Sequence, residues 1–162
     1  MIIDREWMTA HIPHQGDMCL LDRVESWDAA RMIAVTASHL SPTNPLRAHG
    51  RLGAANGIEY AAQAMAVHTA LLMTSKADAP VTERPTAGFL ASVRNTTFHA
   101  ARLDDLDESL QVEVTLTHSE PNCILYQFAV RGQHSQKPLL DGRATVIIDA
   151  SMVIDNMKGS AA

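Results

Sequence analysis

The sequence contains one long run of helix-forming residues without proline. From about Ala54 to Ser75 the chain is dominated by Ala, with Met and Leu, residue types that form helices readily. Apolar residues extend almost all the way round this helix, so the pattern predicts burial on most of its sides. The remainder of the chain must therefore wrap around it.

Strand-length segments make up most of that remainder. Two precede the helix, within residues 18–27 and 31–39, and four follow it, within residues 88–100, 109–118, 123–132 and 138–149. In the fourth segment Leu110, Val112 and Val114 alternate with polar residues, the period of a half-buried strand. The order predicts an α+β fold, in which an antiparallel sheet of about five to six strands wraps around one long central helix.

Length and composition predict a single domain spanning residues 1–162. Its core is expected at about 12–150, and the tail at about 156–162 is expected to fray. A net charge of -5 disfavours nucleic acid and anionic membranes as partners. Cys19 and Cys123 form no CxxC pair and read as small core residues in a reducing compartment. With no apolar segment of signal-peptide or membrane-spanning type, the protein is expected to be cytoplasmic.

Glu59 is the only charged residue between Arg51 and Lys76. Burial raises the pKa of a carboxyl group, which makes Glu59 a candidate proton donor or acceptor. The alternative is that Glu59 is simply favoured in the first helical turn by the helix dipole. Gln63 lies one turn further on the same face, where the two side chains can share a hydrogen bond. Ala66 and Ala70 continue this face and leave room for a ligand or for close packing.

Among eight histidines, His49 stands out because it precedes the helix in a loop rich in Pro and Gly, at residues 41–53. His11 and His14 read as turn residues, since no Cys or carboxylate cluster completes a metal site beside them. His68 lies roughly opposite Glu59 on the helix. No phosphate loop, dinucleotide fingerprint or nucleophile elbow is present, so no cofactor is predicted.

Three stretches carry a resemblance to a known family: "IPHQGDMCLLDRV", "GIEYAAQAM" and "GFLASVRNTTFHAARLDDLDESLQVEVTL". They resemble, in order from Ile12 to Ile148, motifs of the β-hydroxyacyl-acyl-carrier-protein dehydratases, which have the hotdog fold. "NPLRAHGRLGAANGIEYAAQAM" and "LLDGRATV" are more similar to the dehydratase-like subfamily found with aryl-polyene biosynthesis. The resemblance implies dehydration of a 3-hydroxyacyl thioester to a trans-2-enoyl thioester.

The resemblance also implies site residues. The family pairs a loop histidine with an acid on the helix of the neighbouring subunit, beside an apolar acyl tunnel; the histidine takes the C2 proton and the acid protonates the C3 hydroxyl. The acid position falls on Glu59 and the family glutamine on Gln63. Assigning the base to His49 requires a deletion in the loop. Near the helix start, Ala54 and Gly57 are the candidates for holding the thioester, with the Ala54 amide as oxyanion donor.

Three hypotheses follow. The chain is a homodimeric dehydratase that uses His49 and Glu59, a hotdog partner in a composite dehydratase or acyl-binding complex, or a hotdog thioesterase whose carboxylate activates water. The implied substrates are acyl-carrier-protein-bound or CoA-bound acyl thioesters. An acidic carrier protein would dock on basic residues, for which the loop candidates are Arg47, Arg51, Arg94 and Arg102.

Overall fold

The computed structural model describes residues 1–76 and 88–148. Its two helices are α1 (Arg5–His11) and α2 (Gly57–Thr74), and its six strands are β1 (Arg23–Trp27), β2 (Arg31–Thr36), β3 (Phe89–Phe98), β4 (Leu110–Glu120), β5 (Cys123–Gly132) and β6 (Pro138–Ile147). Short 3-10 turns lie at Gly16–Met18, Ser38–Leu40 and Ala54–Asn56. The prediction for the tail at 156–162 falls outside the described residues.

The six strands form one antiparallel sheet in the order β1-β2-β4-β5-β6-β3. Its inner face packs against α2, whose Tyr60, Ala64 and Leu71 are completely buried. Leu110, Val112 and Val114 of β4 point into the same core and are also completely buried. An antiparallel sheet around one central helix is the hotdog arrangement, and the predicted α+β fold is confirmed.

One face of α2 is covered less completely than the others. Glu59, Ala62, Ala66 and Thr69 are half-buried, and their spacing of three and four residues places them in one row along the helix. The expectation of burial on most sides therefore holds for the faces toward the sheet. This row is the open side of the helix in the single chain.

The segment before β1 does not follow the prediction of a strand over residues 18–27. Gly16–Met18 forms a 3-10 turn and the strand begins only at Arg23. The reason is a hydrogen bond from α2, because the backbone N–H of Leu20 donates to Gln63 Oε1 at 2.9 Å. A side chain of the helix thus takes up a backbone group that a longer strand would have paired with its neighbour.

Candidate active site

Glu59 contacts two polar side chains at the beginning of α2. Its Oε1 lies 3.1 Å from Nε2 of His14 and accepts a hydrogen bond from Nε2 of Gln63 at 3.0 Å. His14 belongs to the loop after α1, so the pair joins two segments that are distant in the sequence. Both Glu59 and His14 are partly accessible, with side chains 35% and 25% exposed. The contact is thus a half-buried acid–imidazole pair that small molecules can reach.

Gln63 holds Glu59 in position and is itself held by the backbone. It is completely buried, its Nε2 donates to the carbonyl of Met18 at 2.7 Å and its Oε1 accepts from Leu20 N–H at 2.9 Å. The bond from Leu20 determines which end of the amide carries the oxygen, since a backbone N–H can only donate. Gln63 is therefore locked with an N–H directed at Glu59, the hydrogen bond that the four-residue spacing predicted.

The pKa of Glu59 is lowered from its ordinary value. The hydrogen bond with His14 is the main cause, burial acts in the opposite direction, and Gln63 lowers the pKa further. Burial does act to raise the pKa of Glu59, but the expected net rise is wrong, because hydrogen bonds to the charged form outweigh desolvation. Glu59 is accordingly a carboxylate at neutral pH, and the proton in this pair resides on the imidazole.

An apolar cavity of about 280 Å³ begins at this pair. Glu59 and His14 line it at one end, and the row of Ala62, Ala66 and Thr69 continues along α2. Three further apolar residues line it, namely Leu90 of β3, Val146 of β6 and Ile148 directly after β6. A cavity with a mostly apolar lining and a polar pair suits an apolar ligand that carries a polar reacting group.

His11 lines the same cavity from the end of α1. Its Nδ1 lies 2.7 Å from the carbonyl oxygen of Trp7, and its ring stacks on the indole of Trp7 with centroids 3.9 Å apart and planes inclined by 8°. The sequence pattern predicts only turn residues at His11 and His14. The tertiary structure brings His14 to Glu59 and His11 to the same cavity, and no local pattern in "HIPH" indicates it.

Residues 7–154 match the family described as ApeP-like, ApeP dehydratase. The chain belongs to this family. The resemblance to the aryl-polyene-associated dehydratase-like subfamily is thereby confirmed. No curated protein matches the chain significantly.

Solved structures share the fold at low identity. The dehydratase heterocomplex ApeI:P from Xenorhabdus doucetiae aligns with a TM-score of 0.78 and 17% identity, over 93% of this chain and 96% of the other. A mutant of the thioesterase PA1618 from Pseudomonas aeruginosa gives a TM-score of 0.59 and 16% identity, over 90% and 93%. The E. coli PaaI protein of a phenylacetic acid degradation operon gives 0.53 and 14%, over 76% and 80%. All three establish the hotdog fold.

In the described part of this ApeP-like chain, His49 makes no hydrogen bond or ion pair with Glu59 and does not line the cavity. The backbones of Ala48 and Arg51 exchange hydrogen bonds of 3.0 and 3.1 Å, which closes a two-residue turn over His49 and Gly50. Both residues have positive φ, 52° and 73°, as a type I′ turn requires. His49 is exposed at the tip of this hairpin. Its assignment as a base on the neighbouring subunit stays a prediction.

Ala54 and Gly57, which are expected to hold the thioester, both contribute to the packing of the chain itself. The N–H of Ala54 donates to the carbonyl of Ala101 at 3.0 Å, so this amide is not available as an oxyanion donor, and that expectation is corrected. Gly57 packs against Leu140 so closely that a Cβ at this position would collide with the leucine side chain. Close approach of α2 to β6 is reason enough for glycine there.

Two of the four basic candidates for carrier-protein docking bind a carboxylate within the chain. Asp104, whose side chain is only 6% exposed, contacts Arg102 at 2.7 Å and Arg47 at 3.1 Å. It also accepts a hydrogen bond from the N–H of Leu52 at 3.1 Å. This cluster fastens the loop that carries His49. Arg51 and Arg94 are exposed and stay candidates.

The part of the chain that the structure describes holds no cluster of three or more His, Cys, Asp or Glu side chains suited to a metal ion. None of its helices is long and apolar enough to cross a membrane.

His68 is expected not to join Glu59. It is buried, and its ring nitrogens lie 2.9 Å from the Tyr126 hydroxyl and 2.8 Å from the Asp28 carbonyl oxygen.

Proposed function

We propose that the chain is a dehydratase that removes water from 3-hydroxyacyl thioesters and leaves trans-2-enoyl thioesters. The observation that carries the proposal is the contact of 3.1 Å between His14 and Glu59 at one end of an apolar cavity. Acid–base groups beside an acyl-shaped cavity suit a reaction that moves two protons and needs no cofactor. The acyl group of this thioester is attached to an acyl carrier protein or to coenzyme A.

The His14–Glu59 pair supplies the acid. The pair takes up a proton from solvent and passes it to the departing C3 hydroxyl, which returns His14 and Glu59 to the hydrogen-bonded imidazole and carboxylate. The C3–O bond breaks, and the oxygen leaves as water with that proton. A base takes the C2 proton, and the electron pair of the C2–H bond becomes the C2=C3 double bond. Gln63 keeps the carboxylate in place throughout.

A second hotdog subunit is part of this proposal. The half-buried row of Glu59, Ala62, Ala66 and Thr69 leaves one side of the cavity wall to be completed from outside the chain. The structural relative from Xenorhabdus is a dehydratase heterocomplex, which supports a complex of this chain with another hotdog protein over a homodimer. Its exposure on the hairpin makes His49 a candidate to reach across such an interface.

The test is a product assay with the purified chain, alone and together with a candidate hotdog partner. A 3-hydroxyacyl thioester on carrier protein or coenzyme A should yield the 2-enoyl thioester, seen by mass spectrometry. Glu59→Gln should lower the rate about 10²- to 10⁴-fold, the usual contribution of a general acid. The matched control is Glu120→Gln, which removes an exposed carboxylate paired with His118.

Other outcomes would overturn the proposal. Release of free thiol and a 3-hydroxy acid would instead identify a thioesterase, the activity of several proteins with this fold. Binding of the thioester without turnover in either setting would identify an acyl-binding subunit. Activity restricted to the mixture, and lost with Glu59→Gln, would instead support the proposal and identify a composite site to which this chain contributes the acid.

A further inference from the structure

The imidazole ring of His11 is oriented by a hydrogen bond to the backbone of α1. Its Nδ1 lies 2.7 Å from the Trp7 carbonyl oxygen, and a carbonyl oxygen can only accept a hydrogen bond. Nδ1 therefore carries the proton, and in the neutral ring Nε2 has a free lone pair. A backbone carbonyl that fixes the tautomer in this way is a common means of preparing an imidazole for proton transfer.

Trp7 also fixes the plane of this ring. The two residues are four apart on α1, so their side chains lie one above the other, and the rings are nearly parallel at 3.9 Å. The face of an indole attracts cations. This contact stabilises the imidazolium that forms when His11 accepts a proton, in addition to restricting the movement of the ring.

The other imidazole on the cavity wall is engaged differently. His14 directs Nε2 at Glu59, and its Nδ1 is buried without a hydrogen-bond partner in the described residues. Within residues 1–76 and 88–148, Nε2 of His11 makes no hydrogen bond, although the residue is half-buried and lines the cavity. His11 thus has an unpaired ring nitrogen and lines the same cavity as the His14–Glu59 pair.

We propose that His11 is the catalytic base of this site, its Nε2 taking the C2 proton of the 3-hydroxyacyl thioester. The inference rests on the proposed dehydratase function. The C2–H electron pair forms the double bond, and the hydroxyl leaves with the proton that the His14–Glu59 pair took from solvent. His11 then returns its proton to solvent, so that the site is restored. The base, His11, and the acid, the His14–Glu59 pair, then belong to one chain, whereas the resemblance places the base and the acid on neighbouring subunits.

The experiment separates the base from the acid with a substrate analogue. A saturated acyl thioester without the 3-hydroxyl group cannot be dehydrated, but a base at C2 exchanges its C2 protons for deuterium in D₂O, which NMR detects. Wild-type protein, with its hotdog partner if dehydration requires one, should catalyse this exchange. His11→Gln should lower it about 10²- to 10⁴-fold, and Glu59→Gln should lower it much less than His11→Gln does.

His11→Gln is preferred to His11→Ala because the glutamine amide can still donate to the Trp7 carbonyl, and circular dichroism and Trp fluorescence verify that α1 is retained. His118→Ala removes an exposed imidazole outside the cavity and should change nothing. Wild-type exchange in His11→Gln, with its loss in His49→Ala, would assign the base to His49 and overturn the inference alone. Absence of dehydration by the wild type in every setting would overturn the proposed function itself.

Discussion

Nε2 of His14 and Oε1 of Glu59 lie 3.1 Å apart, although both β1 and β2 lie between these residues in the sequence. This contact reverses the effect of burial on the carboxyl group, because a hydrogen bond to the charged form stabilises it more than desolvation destabilises it. The resting site thereby has a carboxylate and a protonated nitrogen in contact at the end of an apolar cavity. Its consequences can be measured.

Removing the imidazole should raise the pKa of Glu59. In His14→Ala the main cause of the lowered pKa of Glu59 is gone. Burial, which raises this pKa, is then opposed only by the hydrogen bond from Gln63. The titration of the Glu59 carboxyl carbon, followed by ¹³C NMR, should shift to higher pH, and dehydration should slow. The carboxyl of Glu120 serves as an internal reference. An unshifted Glu59 titration would mean that the contact does not exist in solution.

Gln63 should be needed for stability as well as for activity. Gln63→Leu has a similar volume but leaves the Leu20 N–H and the Met18 carbonyl without partners in a buried region. Each unsatisfied buried group costs about 1–3 kcal/mol, so the free energy of unfolding in urea should fall by at least this amount. Gln127→Leu, at an exposed position of β5, is the control. Equal stability of both variants would contradict the structure around Gln63.

Asp104 should make stability depend on pH in the acid range. The hydrogen bond from Arg102 is the main cause that holds the pKa of its carboxyl well below the ordinary value, with Leu52 N–H contributing. A lowered folded-state pKa stabilises the fold above the unfolded pKa of about 3.9, and this stability is lost as the pH falls through the folded pKa.

Asp104→Asn should therefore unfold at lower urea concentration at pH 7, and its difference from wild type should narrow toward pH 2. Asp105→Asn, which changes an exposed neighbour, is the control. A difference between Asp104→Asn and wild type that stays constant with pH would show that the carboxyl does not titrate in the expected way.

Filling the cavity should select against long substrates. Ala66 lies in the half-buried row along α2 and lines the cavity, so Ala66→Leu occupies space beyond the reacting end. Leucine is also a good helix former, so the fold should be retained. We expect kcat/KM to fall more for long acyl thioesters than for short ones. Ala29→Leu, in an exposed turn, should show no such dependence on length.

Much of this molecule could be predicted from local patterns. The period-2 alternation in β4 and β5 and the Ala-rich run of α2 express short-range physical preferences, and the predicted segments agree with the observed strands and helix except near their ends. Glu59 and Gln63 were found because both lie on one helix, where spacing alone decides that they are neighbours. The strand predicted from residue 18 began late because Gln63, far along the chain, took the backbone N–H of Leu20.

The sequence by itself determined the helix and strand segments, the family and the position of the helical carboxylate. The segments and the carboxylate follow from patterns that are local in the chain, and the family follows from its motifs. Only the tertiary structure decided the partner and charge state of that carboxylate. The sign of a pKa shift depends on whether desolvation or hydrogen bonding is stronger, and the imidazole that decides it arrives from a loop 45 residues earlier. The same packing placed His11 beside the cavity and left His49 at the tip of an exposed hairpin.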